Sequence, residues 1–163
     1  MGYVEDVARA SLGPIEGVVV ADRAQIVDDR GKVAHMLRAD DPLFEKFGEV
    51  YFSWVNPGRV KAWHLHEVMT LNYACPHGEV VLVLYDQREG SPTFGNLSKV
   101  VLSPEHYHLV KVPPGVWNGF MGMAAYPSVV CNCASIPHDP REIVRVPYDD
   151  PMFPYDWKTG ALR

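Results

Sequence analysis

Short apolar runs recur from Glu16 to Ala134, and Gly, Pro, Asn or Asp breaks them every few positions. Nothing else in the chain restricts the fold as much. The runs predict strands at Glu16–Val20, Lys32–Arg38, Glu49–Val55, Arg59–His66, Met69–Cys75, Glu79–Asp86, Ser98–Leu102, His108–Val112 and Ser128–Ala134. They are rich in Val, Tyr, Phe and Trp, which suit a pleated, half-buried surface. Many short strands with regular turn signals fold as a barrel or sandwich. One interior helix is predicted at Asp41–Gly48, with Asp41 as its cap, Pro42 in its first position and Gly48 at its end. Val4–Leu12 predicts a second short helix. From Pro137 the tail is rich in Pro, Asp and aromatic residues and is expected to wrap the sheets as an ordered loop. The length, 163 residues, suits one domain spanning 1–163.

Charge and cysteine usage narrow the partners. A formal charge of −5 gives no general attraction to nucleic acid or an anionic membrane, so an anionic ligand needs a local basic patch. The N-terminus lacks a basic region followed by an apolar one, so no secretory signal is expected. The apolar run Gly78–Tyr85 is too short to span a bilayer. Cys75, Cys131 and Cys133 are an odd set without a disulfide framework, which favours a reducing cytoplasm. Cys131 and Cys133 share a strand face and are expected to be packing residues.

Two motifs carry the chemistry. The first runs from Gly58 through His64 and His66 to Gly78; the second is Pro113-Pro-Gly115-Val-Trp-Asn118-Gly-Phe120. They resemble the paired signatures of cupins, which implies an all-β double-stranded β-helix with a few short helices. His64 and His66 are two apart and point the same way from a strand. A metal is the first hypothesis for paired imidazoles. The usual carboxylate position, however, falls near Thr70 or Leu71, and the usual third histidine is Asn118, so the site is underligated and no metal or other cofactor is expected. The alternative is a histidine base oriented by a carboxylate, for which Asp149-Asp150-Pro151 is a source. Trp63, Trp117 and Tyr51 could stack on a ligand or simply pack.

Further runs resemble the dTDP-4-dehydrorhamnose 3,5-epimerases. Leu84-Tyr-Asp-Gln-Arg-Glu-Gly-Ser-Pro-Thr-Phe-Gly95 is the most specific of them. Lys61-Ala-Trp-His64, Pro113–Phe120, Asp149-Asp150-Pro151, Asp156-Trp157 and Asp28-Asp-Arg30-Gly31 are similar to other motifs of that family. The resemblance implies a metal-free homodimer acting on a nucleotide-linked 4-keto-6-deoxy sugar. A proton is removed beside the keto group and another is returned to the opposite face. It implies His64 as base with Asp150 as its partner, and Arg30 as a contact to the diphosphate. Lys61 keeps the positive charge of the family's arginine, but reaches the side of His64 only through a bulge or bent strand. Arg59 is a second phosphate candidate. Two departures stand out. The family's lysine near the enolate oxygen is missing between Lys61 and Lys99, leaving Asn72, Asn118 or His66 to substitute. The family's tyrosine acid aligns with His138. Epimerisation at one centre, a keto-sugar isomerase, a non-catalytic sugar-nucleotide binder and a metal-dependent oxygenase stay open on the sequence.

Overall fold

The computed structural model describes residues 11–163 and is all-β. Its strands are β1 (Ser11–Leu12), β2 (Val19–Asp22), β3 (Gln25–Asp28), β4 (Gly31–Ala34), β5 (Glu49–Val55), β6 (Val60–His66), β7 (Leu71–His77), β8 (Val80–Tyr85), β9 (Asn96–Leu102) and β10 (His108–Val112). They continue with β11 (Trp117–Gly122), β12 (Ser128–Ala134), β13 (Ile143–Arg145), β14 (Tyr155–Asp156) and β15 (Ala161–Leu162). One sheet runs β1-β9-β8-β11-β6-β13 and faces a second of order β2-β10-β7-β12-β5. Hairpin β3–β4 stands apart, as does the small pair β14–β15.

Strand β8 shows why the sheets stack as they do. It is buried on both faces. Val80, Leu82 and Leu84 join Leu71, Tyr73, Val110 and Phe120 in the core between the sheets. Val81, Val83 and Tyr85 point the other way, into a cluster with Trp63, Trp117, Phe153, Tyr155 and Trp157. The tail therefore does wrap the first sheet, held by aromatic side chains. Phe153 stacks on Trp63 with ring centroids 4.3 Å apart, and Trp157 lies 5.2 Å from the same indole. Trp63 and Trp117 pack in this cluster.

The expected helix at Asp41–Gly48 is a turn. Asp41 does cap, accepting the Leu43 amide at 2.8 Å and, through its backbone carbonyl, the Phe44 amide at 2.9 Å. The Gly48 amide, however, donates to Ala134 at 2.8 Å, which draws the chain into β5 before a second turn can form. Among the described residues there is no helix, and so none that is long and apolar enough to cross a membrane. The other expected helix, Val4–Leu12, lies mostly outside the described residues; Ser11–Leu12 pairs in parallel with β9. Burial pushes the thiols of Cys75 and Cys131 up to about 11, so they stay protonated and pack.

The Leu84–Gly95 run is built around one carboxylate. Asp86 is fully buried and accepts from Arg88 Nε at 2.9 Å, Ser91 Oγ at 2.7 Å and Thr93 Oγ1 at 2.7 Å. The Gly95 amide closes the loop on the Asp86 carbonyl at 2.8 Å. The run most specific to the resembled family is thus a structural knot at the end of β8.

Strand β6 carries a bulge. Asn118 of β11 lies opposite His64, but Phe120 lies opposite Lys61, so β6 has one residue more than its partner. The extra residue turns Lys61 to the same side as His64. Gly119 sits against the bulge, where an added Cβ would overlap Ala62. Gly119→Ala is therefore expected to destabilise the fold by about 1–3 kcal/mol through overpacking, measured by denaturant unfolding.

Candidate active site

A cavity of about 630 Å³ opens between the sheets, a size typical of small-ligand sites. One wall is β6 with Lys61, His64 and His66, extended by Ile143 and Arg145 of β13. The facing wall is the second sheet, with Tyr51 of β5, Tyr73 of β7 and Asn132 of β12. His138 is exposed at the mouth.

Alternation places these groups. His64 and His66 project together from β6, their rings 5.8 Å apart and nearly perpendicular. Strand β13 pairs with β6 so that Arg145 lies opposite His64 and Ile143 opposite His66. Val144, between them, points outward and is exposed.

The hydrogen bonds fix the protonation pattern. Asn118 directs its amide nitrogen at the Val116 carbonyl, 3.2 Å away, so its oxygen faces Tyr73 and accepts the phenol proton at 3.0 Å. The Tyr73 oxygen is then an acceptor for His64 Nε2, at 3.1 Å. His64 is neutral: burial foremost, then the neighbouring His66 and Arg145, push its pKa down to about 3, against a small opposing effect of Asn118. On the facing wall Asn132 accepts the Asn72 amide through its oxygen at 3.0 Å, so its nitrogen donates to the Tyr51 hydroxyl at 2.9 Å. Burial raises the Tyr51 phenol above its ordinary range, and the group remains protonated.

His66 has a carboxylate partner that the sequence did not suggest. Its Nδ1 lies 2.5 Å from Glu142 Oε1, with both side chains buried. The other oxygen of Glu142 accepts the Val68 and Met69 amides at 3.0 and 3.2 Å. Burial pushes the Glu142 pKa upward, but His66 and the two amides outweigh it and hold the group below the usual carboxylate range.

Of the residues named from sequence, Lys61, His64, His66 and His138 meet around this cavity, and Asn118 stands behind it through Tyr73. The others do not join them within one chain. Asp150 belongs to the turn that lays Phe153 on Trp63, and its carboxylate accepts the Met152 amide at 2.8 Å. Among the described residues no hydrogen bond joins it to His64, and the carboxylate that meets a cavity imidazole is that of Glu142, on His66. Asn72 points away from the cavity because Leu71 and Tyr73 take the inward positions; its nitrogen donates to the Cys133 carbonyl at 2.9 Å. Arg30 is exposed on hairpin β3–β4 and pairs with Asp28. Arg59 is exposed at the start of β6. Tyr51, a stacking candidate from the sequence, lines the cavity, whereas Arg145, Glu142 and Tyr73 carry no sequence signal as site residues. The alternation of Ile143-Val144-Arg145 was the available signal for a further strand, but its pairing with β6 is a tertiary fact.

The dTDP-4-dehydrorhamnose 3,5-epimerase profile matches residues 13–162. The chain belongs to this epimerase family. The probable low-salt glycan biosynthesis epimerase Agl13 of Haloferax volcanii is 36% identical over 150 residues, covering 89% of this chain and 96% of that protein. The crystal structure of a dTDP sugar isomerase from Desulfovibrio desulfuricans G20 superposes with a TM-score of 0.88 at 47% identity, over 94% of this chain and 98% of that one. NovW, a 4-keto-6-deoxy sugar epimerase from the novobiocin gene cluster of Streptomyces spheroides, superposes with a TM-score of 0.79 at 27% identity, over 94% and 80%. This epimerase is an isomerase-class enzyme with the cupin barrel of its relatives. Of the two departures read from the sequence, His138 lies at the cavity just described, whereas Leu71 and Asn72, where a lysine was expected, do not line it.

Proposed function

We propose that this epimerase acts on a nucleoside-diphosphate-linked 4-keto-6-deoxy sugar, inverting a carbon next to the keto group by deprotonation and reprotonation. The observation that carries the reading is the make-up of one cavity. Two imidazoles lie on a wall with two cations, Lys61 and Arg145, in a protein that is acidic overall. The keto group makes the neighbouring C–H acidic, and an imidazole receives the proton. The electrons move to the keto oxygen, and Arg145, beside His64, stabilises the enolate in place of the family's lysine. Lys61, further along β6, takes the diphosphate, and His138 closes the mouth over the substrate.

The enzyme works as a cytoplasmic homodimer in this reading. Val50, Phe52 and Trp54 form an exposed apolar stripe on β5, an edge strand of its sheet. Ile26, Val27 and Val33 are exposed on hairpin β3–β4. A second copy covers such surfaces, and its hairpin supplies the Arg30 contact to the diphosphate that Arg30 does not make in its own chain. The free cysteines suit a reducing compartment.

The test is incubation in heavy water with a panel of NDP-4-keto-6-deoxy sugars. The expected result is a mass gain and a new epimer for at least one of them. Tight binding with neither deuterium uptake nor a new product would remove the epimerase reading.

A further inference from the structure

The cavity offers two imidazoles and two phenols, and their hydrogen bonds sort them. The nitrogen of His64 that faces Tyr73 carries a proton and gives it to that hydroxyl. No carboxylate among the described residues is hydrogen-bonded to His64. His66 is arranged differently. Glu142 is held as a pure acceptor by two backbone amides, so the His66 nitrogen 2.5 Å from it must be N–H. The Nε2 lone pair of His66 is therefore a basic site backed by a carboxylate, a support that the Nδ1 lone pair of neutral His64 lacks among the described residues.

The phenols separate in the same way. The Tyr73 proton is used on Asn118. The Tyr51 oxygen accepts from Asn132, whose own orientation is set by the Asn72 amide, and the Tyr51 proton meets no acceptor among the described residues. Tyr51 projects from β5 in the second sheet, across the cavity from β6 in the first. A planar enolate between the walls would have His66 on one face and Tyr51 on the other.

We propose that His66, oriented by Glu142, is the base of the epimerisation, and that Tyr51 on the facing sheet is the acid that completes inversion. The assignment rests on the cavity being a 4-keto sugar site. The C–H bond breaks, its electron pair passes to the keto oxygen, and the proton goes to His66 Nε2, giving an imidazolium paired with Glu142. The enolate then takes the Tyr51 proton at the opposite face of the same carbon and the ketone re-forms. Solvent restores the phenol and removes the proton from His66. Glu142 is a positioning residue; it sets the tautomer and steadies the imidazolium.

The experiment follows deuterium uptake and inversion separately, in heavy water, with a 4-keto-6-deoxy sugar nucleotide that the wild type turns over. His66→Asn is expected to lose both by about a thousandfold while still binding the nucleoside diphosphate. Glu142→Gln is expected to lower kcat on the order of a hundredfold with KM unchanged, a split that a packing defect would not give. Tyr51→Phe is expected to keep uptake without inversion, because His66 can return deuterium to the face it works on. Uptake within threefold of wild type in His66→Asn or, should that variant not fold, in Glu142→Gln overturns the base. Inversion at the wild-type rate in Tyr51→Phe overturns the acid. A wild type that exchanges no member of the substrate panel overturns the epimerase reading itself, and the assignment with it.

Discussion

An Arg145→Met variant is expected to turn over its keto-sugar substrate roughly a hundredfold more slowly, with a much smaller change in KM. A single donor stabilising a developing oxyanion contributes on the order of 3 kcal/mol, because it acts most strongly when the charge is on the oxygen. Arg145 is in position for that role. It is the cross-strand neighbour of His64, it lines the cavity, and its charge is felt at the His64 ring. Between Lys61 and Lys99 the sequence has no lysine to do the same work. Arg145→Lys is expected to recover part of the rate by keeping the charge with a different donor geometry. Steady-state kinetics decide the matter. A large rise in KM with kcat intact would mean that Arg145 grips the diphosphate throughout the reaction and does not answer to the enolate.

Asp86→Asn is expected to cost about 3 kcal/mol of stability, a fall in melting temperature of roughly 6–12 °C for a chain of this size. Its carboxylate is fully buried and receives Arg88, Ser91 and Thr93 together. Burial alone would raise its pKa, but those donors prevail and hold it at about 2 against an ordinary 3.8. A pKa lowered in the folded state adds stability that is complete above the unfolded value and disappears as pH falls through the folded one. The shift corresponds to about 2–3 kcal/mol at neutral pH. Wild type and Asp86→Asn should therefore differ most above about pH 5 and converge as pH falls towards 2. Unfolding curves at several pH values check this; a gap that stays constant into acid would assign the loss to packing.

These two residues show what sequence can and cannot supply. The Asp86 run is local: its partners lie within a few positions, so one motif contains the knot, although its structural purpose was not evident from the letters. Strands β5, β10 and β12 have the bounds that their apolar patterns predict, because alternation against a core is a short-range signal. The facing of His64 and His66 follows from the same rule. The partners of those imidazoles do not. Glu142 reaches His66 only because β13 pairs with β6, and that register joins residues more than seventy positions apart. Asp150 had the better motif, but its turn is tied to the aromatic cluster on Trp63. The capping signals at Asp41 predict a cap and the cap forms, yet the backbone bond from Gly48 to Ala134 ends the turn before a helix can grow. Lys61 needed a bulge to share a side with His64, and β6 contains one.

The most direct test of the account watches individual carbon-bound hydrogens. Proton NMR of an accepted 4-keto-6-deoxy sugar nucleotide in deuterium oxide should show, on adding enzyme, loss of a signal at a carbon flanking the keto group while hydrogens elsewhere on the ring persist. If both flanking hydrogens outlast catalytic amounts of enzyme while a new product accumulates, the conversion does not pass through an enolate that exchanges with solvent, and the chemistry assigned to this cavity is wrong.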